Sequence, residues 1–222
     1  MARLHGDLEF TPVFPETEET SAPVIERYLP SRDYEKHNRE LKRARRFLKQ
    51  RSQKTWFEIR LSAVIDPFLE EARQLCEEWK EIELAASDSG DKAPLCFCHG
   101  DYQYHNILRQ DRGFFLVNFE KCQADGPVRD LYLLLRKLLE KSEWDAEWGR
   151  VLLAAYESVR PLKPYERQDL FYRLSYPEKL WKIVNFYYNS GKAWIPEKNQ
   201  EKLDRLLEQE AARKKFLKLL QR

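Results

Sequence analysis

Apolar residues recur every three to four positions along most of the chain, and that rhythm changes near its centre. Tyr34, Leu41, Ala44, Phe47 and Leu48 predict an amphipathic helix over 31–54, opened by Ser31 as N-cap with Asp33 in the first turn. A second helix is expected over 55–64, holding Trp56, Ile59 and Ala63. Pro67, after Asp66, is a natural first-turn residue and starts a third helix reaching Leu84. Its residues Phe68, Leu69, Ala72, Leu75, Cys76, Trp79 and Ile82 keep a 3.6 period, and it is acidic where the first helix is basic, so the two are expected side by side. Ser87 to Asp91 reads as a loop. Further on, Val128, Leu131, Leu134, Leu135, Leu138 and Leu139 mark a core helix over 128–141. More helices are expected over 144–160, 165–175, 176–189 and 197–222.

Between these blocks the period shortens. Leu95-Cys96-Phe97-Cys98 reads as a short buried strand. It leads into His99-Gly100-Asp101, then Asn106-Ile107-Leu108, then Gln110-Asp111-Arg112-Gly113, then Phe114 to Phe119. A polar turn ending in Gly between two apolar runs predicts a hairpin. Its midpoint, counted from Asn106 and Asn118, falls at Arg112, so the two asparagines are expected to face each other at its open end, just after Asp101. Such a convergence suits a proton acceptor beside a divalent cation on a phosphate. Asp101 would take a proton from an attacking hydroxyl, Asn106 would give Mg²⁺ a neutral oxygen, and residue 118 the main charged ligand. Lys121 to Pro127 reads as a loop.

His5-Gly6-Asp7 repeats the triplet near the start. Five residues past Asp7 stands Pro12, which has no side-chain oxygen, and no strand is expected to follow, so it reads as a helix end. Residues 1–30, with Pro12, Pro15, Pro23 and Pro30 and the acids Glu16, Glu18 and Glu19, read as irregular.

Composition narrows the class. Lysine and arginine exceed aspartate and glutamate by 39 − 37 = +2, so no global polyanion partner is implied. Charged residues make up 34% and apolar residues 42%, as in a soluble, helix-rich protein with solvated faces. No apolar run is long enough for a membrane span, and the opening residues lack the apolar segment of a secretory signal, which points to cytoplasmic synthesis. Four cysteines do not make a disulfide framework. Cys96, Cys98 and His99 are too tightly spaced to wrap a tetrahedral zinc ion. The basic face of the first helix (Lys42, Arg43, Arg45, Arg46, Lys49, Arg51, Lys54) reads as a solvated face rather than a nucleic-acid patch. The rings of Tyr176 to Asn189 read as core rather than as a base-stacking platform.

The central stretch resembles the catalytic loop of the aminoglycoside phosphotransferase and protein-kinase-like superfamily. Nearly the whole chain is more similar to the CotS family of spore coat proteins, through Met1 to His5, Cys98 to Asn106, Asp130-Leu131-Tyr132 with Arg136-Lys137, Glu140-Lys141 near Trp144-Asp145, Tyr176 to Lys179 with Trp181-Lys182, and Lys192 to Ile195. The resemblance implies a mainly α fold of α+β type, the C-terminal lobe of a kinase-like protein with a small β-hairpin at the catalytic loop. The expected layout is one lobe over 1–222: irregular over 1–30, helical over 31–94, catalytic loop and hairpin over 95–120, helical over 125–222. It implies Asp101 as catalytic base, Asn106 and Asn118 as metal- and cofactor-binding positions, and Asp130 anchoring the loop near His99. Active members place an Asp where Asn118 stands, and Glu120 is a further candidate ligand on the same strand face. ATP and Mg²⁺ are the cofactors expected of such a family, and other spore coat proteins its partners, with localisation in the coat. The seven glycines include no Gly-x-Gly pair, and no β-rich segment with a central Lys precedes residue 98, so the N-terminal lobe is expected to be absent. Two functions remain: a coat protein with a degenerate, inactive phosphotransfer site, or the catalytic half of an ATP-dependent phosphotransferase acting on a hydroxyl.

Overall fold

The structure is a computed structural model that describes residues 1–7, 9–10, 29–89, 95–111, 113–189 and 196–221. The acidic patch at Glu16, Glu18 and Glu19, Pro12, Pro15 and Pro23, the turn residue Arg112 and the segment Lys192 to Ile195 lie outside the described residues. The chain divides into two compact units, one of residues 1–28, 89–171 and 220–222, the other of 29–88 and 172–219.

The second unit is helical. It comprises α2 (Pro30–Gln50), α3 (Trp56–Ser89), α7 (Glu178–Asn189) and most of α8 (Pro196–Leu220). Leu41 and Leu48 of α2, Phe57, Leu61, Ile65 and Phe68 of α3, Leu180, Ile183 and Val184 of α7 and Leu203 of α8 form its core. The two helices expected over 55–64 and from Pro67 are one, with Pro67 inside it. A helix-interior proline loses one backbone bond and costs about 3 kcal/mol. Here the buried positions Phe57, Leu61, Ile65, Phe68, Ala72, Cys76 and Trp79 run through it without a change of phase, and their burial offsets that cost. The helix also runs through Ser87 to Ser89, where a loop was expected. Its start is a capping box: Thr55 Oγ1 accepts from the Glu58 amide at 3.3 Å, and Glu58 Oε2 accepts from the Thr55 amide at 2.8 Å. Trp56 and Ile59, expected as the apolar positions of this stretch, are exposed, as is Phe47 of α2. The basic and acidic helices are joined by Asn38 Nδ2 donating to the Ala72 carbonyl, by Lys80 with Glu35 and by Arg45 with Asp66.

The first unit holds α1 (Ala2–Asp7), β1 (Glu9–Phe10), β2 (Leu95–Cys98), β3 (Ile107–Gln110), β4 (Gly113–Leu116), β5 (Gln123–Asp125), α4 (Val128–Lys141), α5 (Ala146–Glu157) and residues 164–171 of α6 (Pro164–Ser175). Its sheet has the order β1-β2-β5, with both neighbours antiparallel to β2. Two expectations are corrected here. A strand does follow the first His-Gly-Asp triplet, and the loop expected over 121–127 contains β5. Both pair with β2, whose buried Cys96 and Cys98 need covered edges. The α4 stripe matches its sequence pattern: Val128, Leu131, Leu135 and Leu139 are buried. Asp145 caps α5, accepting from the Trp148 amide at 2.8 Å. No helix among the described residues is long and apolar enough to cross a membrane.

Candidate functional site

Strand β2 delivers His99 and Gly100 to the start of α4. There Asp130, fully buried, accepts from the His99 amide at 2.7 Å through Oδ2 and from the Gly100 amide at 2.8 Å through Oδ1. A carboxylate that satisfies two consecutive backbone donors fixes the loop's entry. Gly100 sits at φ +75°, and a Cβ on it would lie 2.2 Å from the Lys121 carbonyl oxygen, so the triplet's glycine is a steric requirement. The His99 ring is held on both sides: Nε2 donates to the Val117 carbonyl at 2.8 Å, and Nδ1 accepts from the Asp101 amide at 3.2 Å. These partners assign the proton to Nε2.

Asp101 emerges half-buried. Lys121 Nζ lies 3.0 Å from its Oδ2, Lys137 Nζ lies 3.5 Å from its Oδ1, and Gln103 Nε2 also donates to Oδ1. Lys137 in turn bonds Gln103 Oε1. Burial would raise the Asp101 pKa, but the bond and charge of Lys121 and the charge of Lys137 outweigh it and hold it below the ordinary carboxylate value. Lys137 is pushed below the usual lysine range by its own burial, which the attraction of Asp101 only partly counters.

The two asparagines meet by a route that midpoint counting misses. The hairpin pairs Ile107 with Leu116 and Gln110 with Gly113, so the residue across from Asn106 is Val117, whose amide donates to the Asn106 carbonyl at 3.0 Å. Asn118 lies one position beyond, at φ 66° and ψ 63°. This left-handed turn, which asparagine tolerates better than most residues, brings its side chain back to Asn106. Asn118 Nδ2 donates to Asn106 Oδ1 at 2.9 Å, while Asn106 Nδ2 donates to the Asp101 carbonyl at 2.8 Å. The strand ends at Leu116, and Phe119–Lys121 is a single 3₁₀ turn. Glu120 is therefore exposed on a turn and does not share a strand face with Asn118, contrary to expectation.

The orientation of these amides follows from the donors. The Asp101 carbonyl can only accept, so Asn106 must turn its NH₂ toward it and present Oδ1 to residue 118. With Asn at 118, an N–H points at the Asn106 oxygen where an Asp would present a second, charged oxygen. The Asn106 oxygen thereby accepts one hydrogen bond, and the residue that would carry the ligand charge is neutral. These residues do not fit a tightly held Mg²⁺, a hard cation that calls for anionic oxygen. Among the described residues no group of three His, Cys, Asp or Glu side chains is placed to hold a metal ion. The free Cys98 thiol is held far above its ordinary range, first by a hydrogen bond with the Cys96 thiol and then by burial, and its Sγ lies 3.3 Å from the Gly126 carbonyl.

Sequence reasoning missed four contributors: Gln103, Lys121, Lys137 and His5. His5, read as a helix end, is in α1 but fully buried. Its Nδ1 lies 2.9 Å from the Tyr156 hydroxyl and its Nε2 lies 3.4 Å from Asp130 Oδ2. It thus ties α1 and α5 to the residue that holds the loop. The partners stand 125 and 151 positions away, and no local pattern announces them.

The chain belongs to the family described as "Spore coat putative kinase YutH", whose model matches residues 70–220. It is 31% identical over 159 residues to Spore coat protein S of Bacillus subtilis (strain 168), a match covering 68% of this chain and 45% of that protein. The chain therefore spans about half the length of this curated relative. Among solved structures it is similar to an aminoglycoside phosphotransferase from Alicyclobacillus acidocaldarius, with a TM-score of 0.76 and 18% identity, covering 99% of this chain and 62% of that one. The fold is that of the kinase-like phosphotransferases, mainly helical with small sheets.

Proposed function

We propose that this member of the spore coat kinase-like family is a coat protein. In this reading its phosphotransfer site, as it stands in this sequence, no longer holds the divalent cation that transfer chemistry requires. One contact carries the reading: the Asn118 amide bonded to Asn106 Oδ1 at 2.9 Å, where an Asp would present a second, charged oxygen. A second feature supports it. Asp101, the candidate base, has its carboxylate occupied by Lys121, Lys137 and Gln103, which lowers its affinity for a substrate proton. The family match and the 31% identity to a spore coat protein support the coat as its location and other coat proteins as its partners. The loop then serves chiefly as the folded centre of its unit, with Asp130 and His99 joining α4, β2 and the hairpin.

The test is incubation of the chain with Mg²⁺ and radiolabelled ATP. The expected result is neither autophosphorylation nor ATP hydrolysis above background. Turnover that Asp101→Ala abolishes would overturn the reading in favour of a phosphotransferase using Asp101 as base.

A further inference from the structure

From Lys36 to the C-cap Arg51, the lysines and arginines of α2 fall into two sets. Arg45 pairs with Asp66, Arg51 pairs with Glu58 at 3.0 Å, and Lys42 and Lys49 act on Glu70 and Asp66 of α3. Lys36, Arg39, Arg43 and Arg46 are exposed and have no hydrogen-bond or ion-pair partner among the described residues. Arg39 acts on Glu35, which is already bonded to Lys80, and Glu40, four residues after Lys36 and three before Arg43, lies on the same helix. At 3.6 residues per turn these four fall in one arc of about 80° and extend about 15 Å along the helix.

A groove of about 310 Å³ runs beside this stripe, between α2 and α7. Arg43 belongs to both. The floor includes Leu41 and Val184, and the rings of Phe47, Trp181 and Tyr188 line it. Glu40 also lines it, but its carboxylate already accepts from Trp181 Nε1 at 2.6 Å. On α7, Asn189 Nδ2 donates to Asn185 Oδ1, which leaves Asn185 Nδ2 and Asn189 Oδ1, a donor and an acceptor, without partners among the described residues.

We propose that α2 and α7 form a docking surface for an acidic peptide segment bearing one large apolar side chain. Carboxylates of the segment lie along Lys36, Arg39, Arg43 and Arg46, the apolar side chain enters the groove, and Asn185 with Asn189 matches one peptide unit. The charge complementarity is local, because the chain as a whole carries only +2. A stripe of about 15 Å fits some five extended residues at about 3.3 Å each. The rings beside the cations are already engaged, Trp181 stacked on His37 at 3.5 Å and Phe47 edge-on to Tyr188 at 5.4 Å, so the recess suits one anchoring side chain rather than a run of stacked bases. None of these residues belongs to the catalytic loop, so the proposal stands apart from the reading of that site.

Fluorescence anisotropy with the full chain tests it. The probe is a fluorescein-labelled peptide of six glutamates around a central phenylalanine. Its controls are the same peptide with serine at the centre and a twelve-nucleotide oligothymidylate. The phenylalanine peptide should bind at micromolar concentration. Binding should weaken about tenfold or more for the serine peptide, for the double variant Arg39→Glu, Arg43→Glu and for Phe47→Ser, each checked for native far-UV circular dichroism. All three positions are exposed, so the fold should survive. No peptide binding, binding indifferent to the serine or to the variants, or tighter binding of the oligonucleotide would each overturn the proposal.

Discussion

Replacing Asn118 by Asp changes one group in the pair on which the reading rests. The side chain keeps its size, and the backbone at φ 66° accepts either residue. What changes is the donor. Asn106 Oδ1, on a residue only 2% exposed, would lose the hydrogen bond of 2.9 Å and face a carboxylate oxygen. An acceptor left unsatisfied costs about 1–3 kcal/mol, before any repulsion between the two oxygens. For a domain of this size each kcal/mol shifts Tm by about 2–4 °C, so Asn118→Asp in EDTA should melt roughly 4–8 °C below the parent for a cost near 2 kcal/mol. Mg²⁺ then has a site it lacks in the parent. At a free concentration ten times Kd it returns about 1.4 kcal/mol, or roughly 3–6 °C. The assay is thermal unfolding of both proteins by circular dichroism, in EDTA and in Mg²⁺. The expected pattern is a parent indifferent to Mg²⁺ and a variant that is destabilised in EDTA and rescued by the metal. The reasoning is refuted if the parent gains as much from Mg²⁺ as the variant does, or if the variant melts with the parent under both conditions.

Other substitutions test the supports of the loop. Gly100→Ala should cost at least about 1–2 kcal/mol from its left-handed backbone alone, and more from the approach to the Lys121 carbonyl, read as a lower midpoint in urea. Asp130→Ala leaves the buried His99 amide and the half-buried Gly100 amide unpaired and should cost about 1–3 kcal/mol for the former and less for the latter, read as a lower urea midpoint and faster amide exchange at those two residues. Glu143, exposed at φ 54°, should gain about 0.5 kcal/mol on replacement by Gly, since the relief of strain exceeds the added chain entropy. The Asp101 carboxyl, observed by NMR, should titrate below the ordinary value near 3.9, and Lys121→Gln should raise it. Because the folded pKa is the lower one, its contribution to stability is present above about pH 4 and is lost as acid protonates the folded form.

The sequence announced those features whose causes are local. The α4 stripe was legible because Val128, Leu131, Leu135 and Leu139 recur at helical spacing, and the hairpin because Gly113 closes a polar turn between apolar runs. The single long α3 escapes sequence reading because Pro67 suits a helix start and Trp56, Ile59 and Ala63 suggest a different apolar face, while the buried stripe continues in phase from Phe57 to Trp79. At the site, Asp101, Asn106, Asn118 and Asp130 could be named, but not how they meet. Counting to a midpoint gave a register one residue off, and the contact between the asparagines depends on the left-handed turn at Asn118, which no periodicity encodes. Glu120 was misplaced for the same reason, since a strand face was extended past the point where the strand ends. His5, Lys121 and Lys137 reach Asp130 and Asp101 only through tertiary packing.

The central claim, that an amide N–H stands where an Asp would present a charged oxygen, is tested most directly by titrating the unaltered chain with Mn²⁺ and counting free ion by electron paramagnetic resonance. The account predicts no bound Mn²⁺ below about millimolar concentration in the parent and a stoichiometric site in Asn118→Asp. Submillimolar binding by the parent that Asn106→Ala removes would contradict it.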